Sequence, residues 1–279
     1  MIAGGTSNLL CLQDFIMRVA LGIEYDGSQF SGWQLQAGAN TIQQAVEQAI
    51  SAVADTPVRV HAAGRTDTGV HATEQVVHFD CDAQRESRAW VMGVNTHLPG
   101  SISVLWAKTM QEGFHARHSA VSRHYRYVIL NRPTRPAILD KQVTWIFQAL
   151  DAARMRQAAL CLVGTHDFTA FRATACQSRS PVRTVHRLGV QRQGEFIWID
   201  VLADGFLHHM VRNIAGALIA IGKGEQEISW TRVILESRDR ASGGITAPAA
   251  GLYLVKVQYD VRHGLHPAVK WPAIGIDCS

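Results

Sequence analysis

The chain has 279 residues, and its 47% hydrophobic and 18% charged content is typical of a folded protein with a substantial core, which excludes a disordered chain. Its formal net charge of +4 permits an anionic partner but does not require one. The five cysteines are odd in number and form no CxxC pair, so we expect neither a disulfide framework nor a zinc site, and no apolar run reaches the roughly 20 residues that span a membrane.

The first half of the chain predicts six elements after an N-terminal stretch. Residues 1–17 lack the basic region of a signal peptide, and we expect an extension that need not be ordered. Thr41 and Gln44 have the spacing of a capping box, which predicts that a helix begins there. The hydrophobic pattern further predicts a second helix over 87–98 and strands over 18–26, 58–61, 75–79 and 102–107. The order β-α-β-β-α-β is that of a split βαβ unit.

The second half of the chain repeats this order. Asp151 is expected to open a helix and Ser229 to cap another, and a long apolar helix is predicted over 208–221. Strands are predicted over 122–130, 182–191, 196–203 and 252–259. The predicted fold class is α+β, with two similar halves whose antiparallel sheets join into one extended sheet, helices on one face and a cleft between the halves. The expected boundaries are 1–17 for the extension, 18–114 and 115–262 for the halves, and 263–279 for an irregular tail.

The stretch AGRTDTGVHATEQVVH, residues 63–78, carries the strongest chemical signal. Gly64 and Gly69 allow the backbone to turn tightly or to approach a ligand closely. Arg65 and Asp67 lie two residues apart and are expected to pair, which would keep the carboxylate ionised and suited to act as a nucleophile or a base. The alternative is a surface turn held by a salt bridge, because such loops are common.

Two stretches of the chain are rich in arginine and contain no acidic residue. Residues 113–139 hold five arginines and three histidines, and residues 171–192 hold five arginines and one histidine. This distribution indicates a surface that binds a phosphate backbone.

Two further patterns suggest side chains for a binding site. Tyr125 and Tyr127 alternate with Arg126 on a predicted strand, so the tyrosines share a face; the alternative is a pair of core aromatics beside exposed arginines. Arg212 lies in an apolar helix, where it needs a partner, and His208 is four residues before it on the same face. His208 and its neighbour His209 would diverge by about 100° on a helix, which makes them a poor metal pair, and one packed and one surface histidine is the alternative.

The motif GRTDTGVHA resembles the sequence around the catalytic aspartate of the tRNA pseudouridine synthase A family, which isomerises uridines in the anticodon arm. Further segments resemble family segments in the same order, so the resemblance covers roughly residues 18 to 260. They are LGIEYDGSQFSGWQ, FHARHSAVSRHYRYVI, DFTAFRATACQSRSPVRTV, FLHHMVRNIAG and GLYLVKV. The chain departs from the family pattern at Leu35, Thr68 and His118.

The resemblance implies a role for each candidate residue. Asp67 would be catalytic, with Arg65 and Arg212 holding it ionised and anchoring the phosphate, Tyr125 stacking on a flipped base, and Leu252 lining the uracil pocket. The basic segments would contact tRNA through the residues Phe114, His115, Arg117, Gln177, Ser178, Arg179 and His208. The family also implies the anticodon stem-loop of tRNA at positions 38, 39 and 40 as substrate, and a homodimer. We expect no metal and no cofactor, since the sequence holds no P-loop or GxGxxG motif. The cysteine pattern predicts a reduced, cytoplasmic location.

Two other functions remain open at the level of sequence. A non-catalytic RNA-binding protein would clamp the anticodon arm by shape and charge, but an anionic Asp67 is unfavourable in a groove that only binds phosphate. An N-glycoside hydrolase acting on RNA would need an activated water, and no second carboxylate near Asp67 has a plain claim to that role.

Overall fold

The computed structural model describes residues 16–174, 176–265 and 268–274, so most of the expected N-terminal extension and part of the expected tail lie outside the described residues. The helices are α1 (Ile42–Ala54), α2 (Ser87–His97), α3 (Ala152–Ala159), α4 (Met210–Gly222) and α5 (Trp230–Ser237). The strands are β1 (Met17–Tyr25), β2 (His61–Ala62), β3 (His71–Cys81), β4 (Ile102–Met110), β5 (Ala120–Asn131), β6 (Thr144–Ile146), β7 (Gly164–Asp167), β8 (Val182–Gln193), β9 (Phe196–Ala203) and β10 (Leu252–Tyr259).

All ten strands of the described chain belong to one sheet, as the sequence predicts. Its order is β4-β1-β3-β10-β5-β9-β8-β7, with β2 beside β3 and β6 beside β5. The first three strands of this order come from the N-terminal half of the chain, and the last five come from the C-terminal half. They join where β3 and β10 run parallel, with Tyr253 opposite His71 and Leu254 opposite Ala72. This junction brings the loop before β3 next to the C-terminal half.

The helices lie on one face of the sheet, which confirms the predicted layering. Every helix contributes its buried apolar residues to a single core, together with alternate residues of the strands. A smaller apolar cluster on the other face contains Val128, Trp198 and Tyr253 and packs against Trp271 and Ile274 instead of a helix. None of the helices in the described part of the chain is long and apolar enough to cross a membrane.

Two predicted helix starts are confirmed by their caps. The Thr41 hydroxyl accepts a hydrogen bond from the Gln44 amide at 3.4 Å, and the Asp151 carboxylate accepts from the amides of Ala153 and Arg154. Ser229 precedes α5 as expected, but its side chain makes no capping hydrogen bond.

The strand predicted over 58–61 is wrong, since only His61–Ala62 pairs with β3. The amide of Val58 donates instead to the Ser51 hydroxyl at 2.9 Å, and the amide of Val60 donates to Glu47 at 3.0 Å. Both acceptors are side chains of α1. The helix, and not a neighbouring strand, therefore accepts the hydrogen bonds of these two backbone amides.

The start predicted for the long apolar helix is also wrong. The helix begins at Met210, and His209 precedes it with a left-handed φ of 62°. His208 and His209 therefore lie in the turn before α4 and do not follow helical geometry.

Candidate active site

The loop that carries Asp67 is held in place by side chains on both sides. Gln75 bonds both backbone groups of Gly64, accepting from its amide at 3.3 Å and donating to its carbonyl at 2.6 Å. The Thr66 hydroxyl bonds the Tyr25 hydroxyl at 2.9 Å in a buried position, and the Trp33 amide donates to the Thr66 carbonyl at 2.9 Å. Buried, fully paired contacts of this kind fix the direction in which the next residue points.

Two glycines permit the close packing of this loop. Gly69 has a φ of 78°, a region that residues with a side chain rarely adopt. Gly32, at a φ of 85°, belongs to the GSQFSGWQ segment, and an added Cβ would lie 2.8 Å from the Thr66 carbonyl oxygen. The conformational freedom of Gly32 thus lets the first loop of the chain press directly against the Asp67 loop.

Asp67 faces three basic side chains of the C-terminal half. Its Oδ1 lies 3.3 Å from Nε2 of His208, and its Oδ2 lies 3.3 Å from Nε2 of His209 and 3.2 Å from Nη1 of Arg212. The carboxylate is about one-quarter exposed, so a substrate can reach it while part of its surroundings is protein. Burial lowers the pKa of His209, and the charge of Asp67 opposes that shift.

Arg212 is itself fixed by the chain that follows α5. Its Nε donates to the Ala247 carbonyl at 2.8 Å, and the Ala247 amide donates back to the Arg212 carbonyl at 3.1 Å. The guanidinium therefore reaches Asp67 in one orientation, and the partner that the sequence required for Arg212 is Asp67.

The predicted pairing of Arg65 with Asp67 is wrong. Arg65 is exposed, and within the described residues the ion pairs of Asp67 are those with His208, His209 and Arg212. The turn directs Asp67 toward the second half of the chain and leaves Arg65 facing solvent, where a phosphate could reach it.

The two histidines before α4 do not have the helical geometry that the sequence predicts for them. Because His209 has a left-handed φ, both imidazoles lie beside Asp67, with ring centroids 4.1 Å apart. The expectation of one packed and one surface histidine is therefore wrong, and His209 is a site residue that sequence reasoning missed.

Tyr125 lies close to the Asp67 loop, and its ring is 7% exposed. It packs edge-on against Phe206, with centroids 4.9 Å apart, and its hydroxyl lies 3.6 Å from the position of a Cβ on Gly64. Burial raises the pKa of Tyr125, and the charge of Asp67 raises it further, so the hydroxyl stays protonated. Tyr127 shares this face and is fully buried, as the alternation predicts.

Leu252 lies at the start of β10, opposite Tyr127 and on the same face as the tyrosines. It is 5% exposed, and its amide donates to the Ala249 carbonyl at 2.8 Å. Its apolar side chain is thus part of the wall beside the aromatic residues.

The segment FHARH contains both core and surface residues. Phe114 is fully buried against Tyr259, with ring centroids 5.1 Å apart, so the predicted contact of Phe114 with tRNA is wrong. His115 is half-buried and Arg117 is exposed. Arg123 donates to the carbonyls of Arg117 at 2.7 Å and Ala63 at 3.0 Å, which places this segment next to the Asp67 loop.

The chain just before the segment ACQSR lies next to His208, since the amide of Ala173 donates to the His208 carbonyl at 2.9 Å. Gln177 and Arg179 are exposed, and the Ser178 hydroxyl accepts from Arg183 at 2.7 Å. Ala175 lies outside the described residues. Both predicted basic segments therefore meet the chain around Asp67.

Not all arginines of the two acid-free stretches are available to a ligand. Arg126 is buried on the face of the sheet away from the helices, where it makes two 2.8 Å hydrogen bonds to Asp200 and lies 3.7 Å from the ring centroid of Trp271. Arg132 pairs with Glu195 at 3.3 Å. The phosphate surface inferred from arginine counts is therefore smaller than predicted.

Taken together, the geometry holds a carboxylate beside three basic groups in a partly enclosed position between the two halves. An anionic carboxylate with an aromatic ring and an apolar wall nearby can act as a nucleophile or as a base toward a flat, neutral substrate group.

The chain is similar in sequence to known proteins over most of its length. A family model described as tRNA pseudouridine synthase matches residues 22–119 and 158–260. The tRNA pseudouridine synthase A of Nitrosococcus oceani is 58% identical over 259 residues, covering 91% of this chain and all of that relative. The enzymes of the same name from Legionella pneumophila strain Corby and from Pseudomonas aeruginosa are 55% and 56% identical, covering 89% and 88% of this chain and 95% and 86% of the respective relatives.

Proposed function

The chain belongs to the tRNA pseudouridine synthase family, and on that premise we propose that Asp67 is the residue through which it isomerises uridine to pseudouridine in tRNA. The single observation that carries the assignment of Asp67 is its position between the halves, 3.2 Å from Arg212 and 3.3 Å from each of two histidines. A surface turn held by its own salt bridge would not need three basic side chains from the other half of the chain.

The reaction moves one bond within the substrate. The N1–C1′ bond breaks, the base turns, C5 bonds to C1′, the C5 proton leaves to solvent, and N1 gains a proton. Because atoms and electrons balance without an external donor, the reaction needs no redox cofactor. Asp67 begins it either by attacking C1′ or by removing the proton from C2′.

The base reaches Asp67 by leaving its stack in the RNA. A flipped uracil would lie on Tyr125, since stacking on an aromatic ring is worth roughly 1–3 kcal/mol per base. Leu252 closes the apolar side of the pocket, which retains the base after its bond to the sugar breaks. Arg212 has two roles, holding the Asp67 carboxylate and balancing charge that develops at the sugar.

The substrate site is the anticodon stem-loop, at positions 38, 39 and 40. Exposed Arg65, Arg117 and Arg179 lie on three segments that meet near Asp67, which suits contacts to successive phosphates. His115, Gln177, Ser178 and His208 offer further hydrogen bonds to sugar and phosphate.

We also propose a homodimer, in which one tRNA touches both subunits, and a cytoplasmic location. Cys81, Cys161 and Cys176 are free thiols, which is consistent with a reducing compartment. The domain division at residues 114 and 115 places the Asp67 loop in the first half and its basic partners in the second.

The test of this function is release of tritium from tRNA labelled at uracil C5, with the product mapped to individual nucleotides. An isomerase releases tritium and leaves a modified nucleotide in the chain. A hydrolase would leave an abasic site and free uracil, and a protein that only binds RNA would do neither.

Asp67→Asn is the matched variant for this test, because the amide keeps the size of the side chain and loses its charge. We expect no tritium release from Asp67→Asn and unchanged binding of tRNA. Wild-type rates in Asp67→Asn would remove Asp67 from the mechanism.

A further inference from the structure

Two neighbouring histidines turn toward the same carboxylate. His209 has φ 62° and ψ 3°, and its side chain makes no capping hydrogen bond to α4. A non-glycine residue in this region is uncommon. Because His209 adopts this left-handed conformation, the rings of His208 and His209 lie side by side, tilted by 43°, and both direct Nε2 toward Asp67.

The spacing of these atoms matches that of metal ligands. Each Nε2 lies 3.3 Å from an oxygen of Asp67, and the three donor atoms lie within 4.8 Å of one another. In a tetrahedral zinc site with bonds of about 2.0–2.1 Å, neighbouring ligand atoms are about 3.3 Å apart. In the part of the chain that the structure describes, no second set of three histidine, cysteine or carboxylate side chains comes this close together.

The donor atoms of these three side chains and their exposure to solvent also fit a divalent metal cation. Imidazole nitrogen and carboxylate oxygen are the donors that borderline-soft divalent cations such as Zn²⁺ accept. The side chains of His208, His209 and Asp67 are 42%, 29% and 23% exposed, so a cation can enter from solvent and keep a water as its fourth ligand.

We propose that Asp67, His208 and His209 bind a divalent transition cation such as Zn²⁺, and that the bound cation inhibits the enzyme by occupying Asp67. The ion is not a cofactor for the reaction, because it takes the carboxylate oxygens that the substrate needs. The binding part of this proposal is independent of the function assigned above, and the inhibition part rests on it.

Arg212 lowers the affinity of this site for a cation. Its guanidinium lies 3.2 Å from Oδ2 of Asp67 and brings a positive charge close to the cation, which weakens binding. The same hydrogen bond orients the carboxylate, as outer partners of metal ligands commonly do. Binding should therefore be reversible and weaker than in a structural zinc site.

The first experiment measures binding without tRNA. Purified enzyme stripped with a chelator is titrated with Zn²⁺ against a coloured chelator, and with Co²⁺, whose visible spectrum reports its coordination geometry. We expect one cation per chain and a tetrahedral Co²⁺ spectrum. No binding, or an octahedral spectrum of a loosely held ion, overturns the proposal without the need for any variant.

The second experiment locates the ion. His208→Gln and His209→Gln should each weaken Zn²⁺ binding at least tenfold, whereas His61→Gln should not change it. His61 is the matched control, since it is an exposed histidine whose ring stacks on another histidine, His78, at 5.0 Å, and it is not one of the side chains grouped with Asp67. Equal loss in His61→Gln, or unchanged binding in a His208→Gln/His209→Gln double variant, places the ion elsewhere and contradicts the site.

The third experiment separates this proposal from the proposed function. Tritium release by the wild type should fall in proportion to Zn²⁺ occupancy and return when a chelator is added. If the metal-free enzyme releases no tritium, the proposed function fails while the binding result stands. If Zn²⁺ fills the site and tritium release continues at full rate, inhibition through Asp67 is wrong.

Discussion

The guanidinium of Arg123 donates a hydrogen bond to the carbonyl of Ala63 at 3.0 Å, two residues before Arg65. The same side chain donates to the carbonyls of Arg117 at 2.7 Å and Asp204 at 3.0 Å. Burial lowers the pKa of Arg123, as expected where a charged group has left water. One arginine thus joins the catalytic loop, the FHARH segment and the end of β9.

Arg123→Lys should destabilise the fold, because one ammonium cannot replace a planar guanidinium that serves several carbonyls at once. Hydrogen bonds to charged groups are worth about 1.5–3 kcal/mol each, so we expect the free energy of unfolding in urea to fall by about 3 kcal/mol. Arg117→Lys is the control, since Arg117 is exposed and offers only its carbonyl to this network. Equal stability of Arg123→Lys and wild type would contradict the role of Arg123 as a link between segments.

Arg123 also illustrates why part of the site could not be predicted from the sequence. Its position among five arginines without an acid indicates a phosphate contact, and only the fold reveals that it faces backbone carbonyls. Arg126 is a similar case, since its partner Asp200 is 74 residues away in sequence. Counting charges identifies a basic segment, but it does not distinguish a side chain that binds a ligand from one that binds its own chain.

Arg212→Lys should reduce turnover by on the order of 10²-fold, because a lysine cannot hold Ala247 and Asp67 with two separate nitrogens at once. The effect should fall on kcat more than on KM, since Arg212 acts on the reacting group. Steady-state tritium release over a range of tRNA concentrations measures both. Arg232→Lys, an exposed change on α5, should match wild type. A loss confined to KM would assign Arg212 to tRNA binding alone.

Tyr125→Ala should lower turnover more than tRNA affinity, because most affinity comes from the phosphate backbone. If the base stacks on the ring, the loss should be about 1–3 kcal/mol, or roughly 5- to 150-fold in rate. Tyr125→Phe retains the ring and the edge-on contact with Phe206 and should retain most activity. Filter binding and single-turnover tritium release give the two quantities separately. A fall in affinity equal to the fall in rate would contradict stacking on Tyr125.

The elements of the fold were predictable where local pattern determines them. Strand alternation and the Thr41 and Asp151 caps depend on neighbouring residues, and the structure confirms them. The short strands β6 and β7 carry too little pattern of their own and were not predicted. The start of α4 depends on His209, whose left-handed φ is compensated by contacts with a distant aspartate. Helical periodicity carries no information about such a contact, so it placed the two histidines wrongly.

Folding stability should fall as pH decreases below about 6.5, the ordinary pKa of histidine, toward 4. The amide of Ala116 donates to Nδ1 of His78 at 3.1 Å, which requires the neutral ring, and burial together with the nearby His115 lowers the pKa of His78 to about 4. The unfolded chain then takes up a proton at His78 that the folded chain does not, so the free energy of unfolding falls as the pH decreases through this range. Urea unfolding at several pH values measures the slope.

His78→Gln isolates this contribution, because glutamine offers an acceptor to Ala116 and does not titrate. The pH dependence of its stability should be shallower than that of wild type by up to one proton. His186→Gln, at an exposed position, should leave the wild-type slope unchanged. Parallel profiles for wild type and His78→Gln would mean that His78 does not titrate in this window.

Binding of tRNA should weaken steeply with salt, because each neutralised phosphate releases a counterion. Arg117 and Arg179 are exposed on the two segments that meet near Asp67, so Arg117→Ala and Arg179→Ala should each reduce the slope of log K against log salt by about 1. Arg132→Ala is the matched control: Arg132 belongs to the same acid-free stretch as Arg117 but is paired with Glu195 at 3.3 Å, and its loss should leave the slope unchanged. A flat salt response in wild type would contradict the phosphate surface, and an equal change in all three variants would mean that the general charge of the protein, and not these two segments, binds the tRNA.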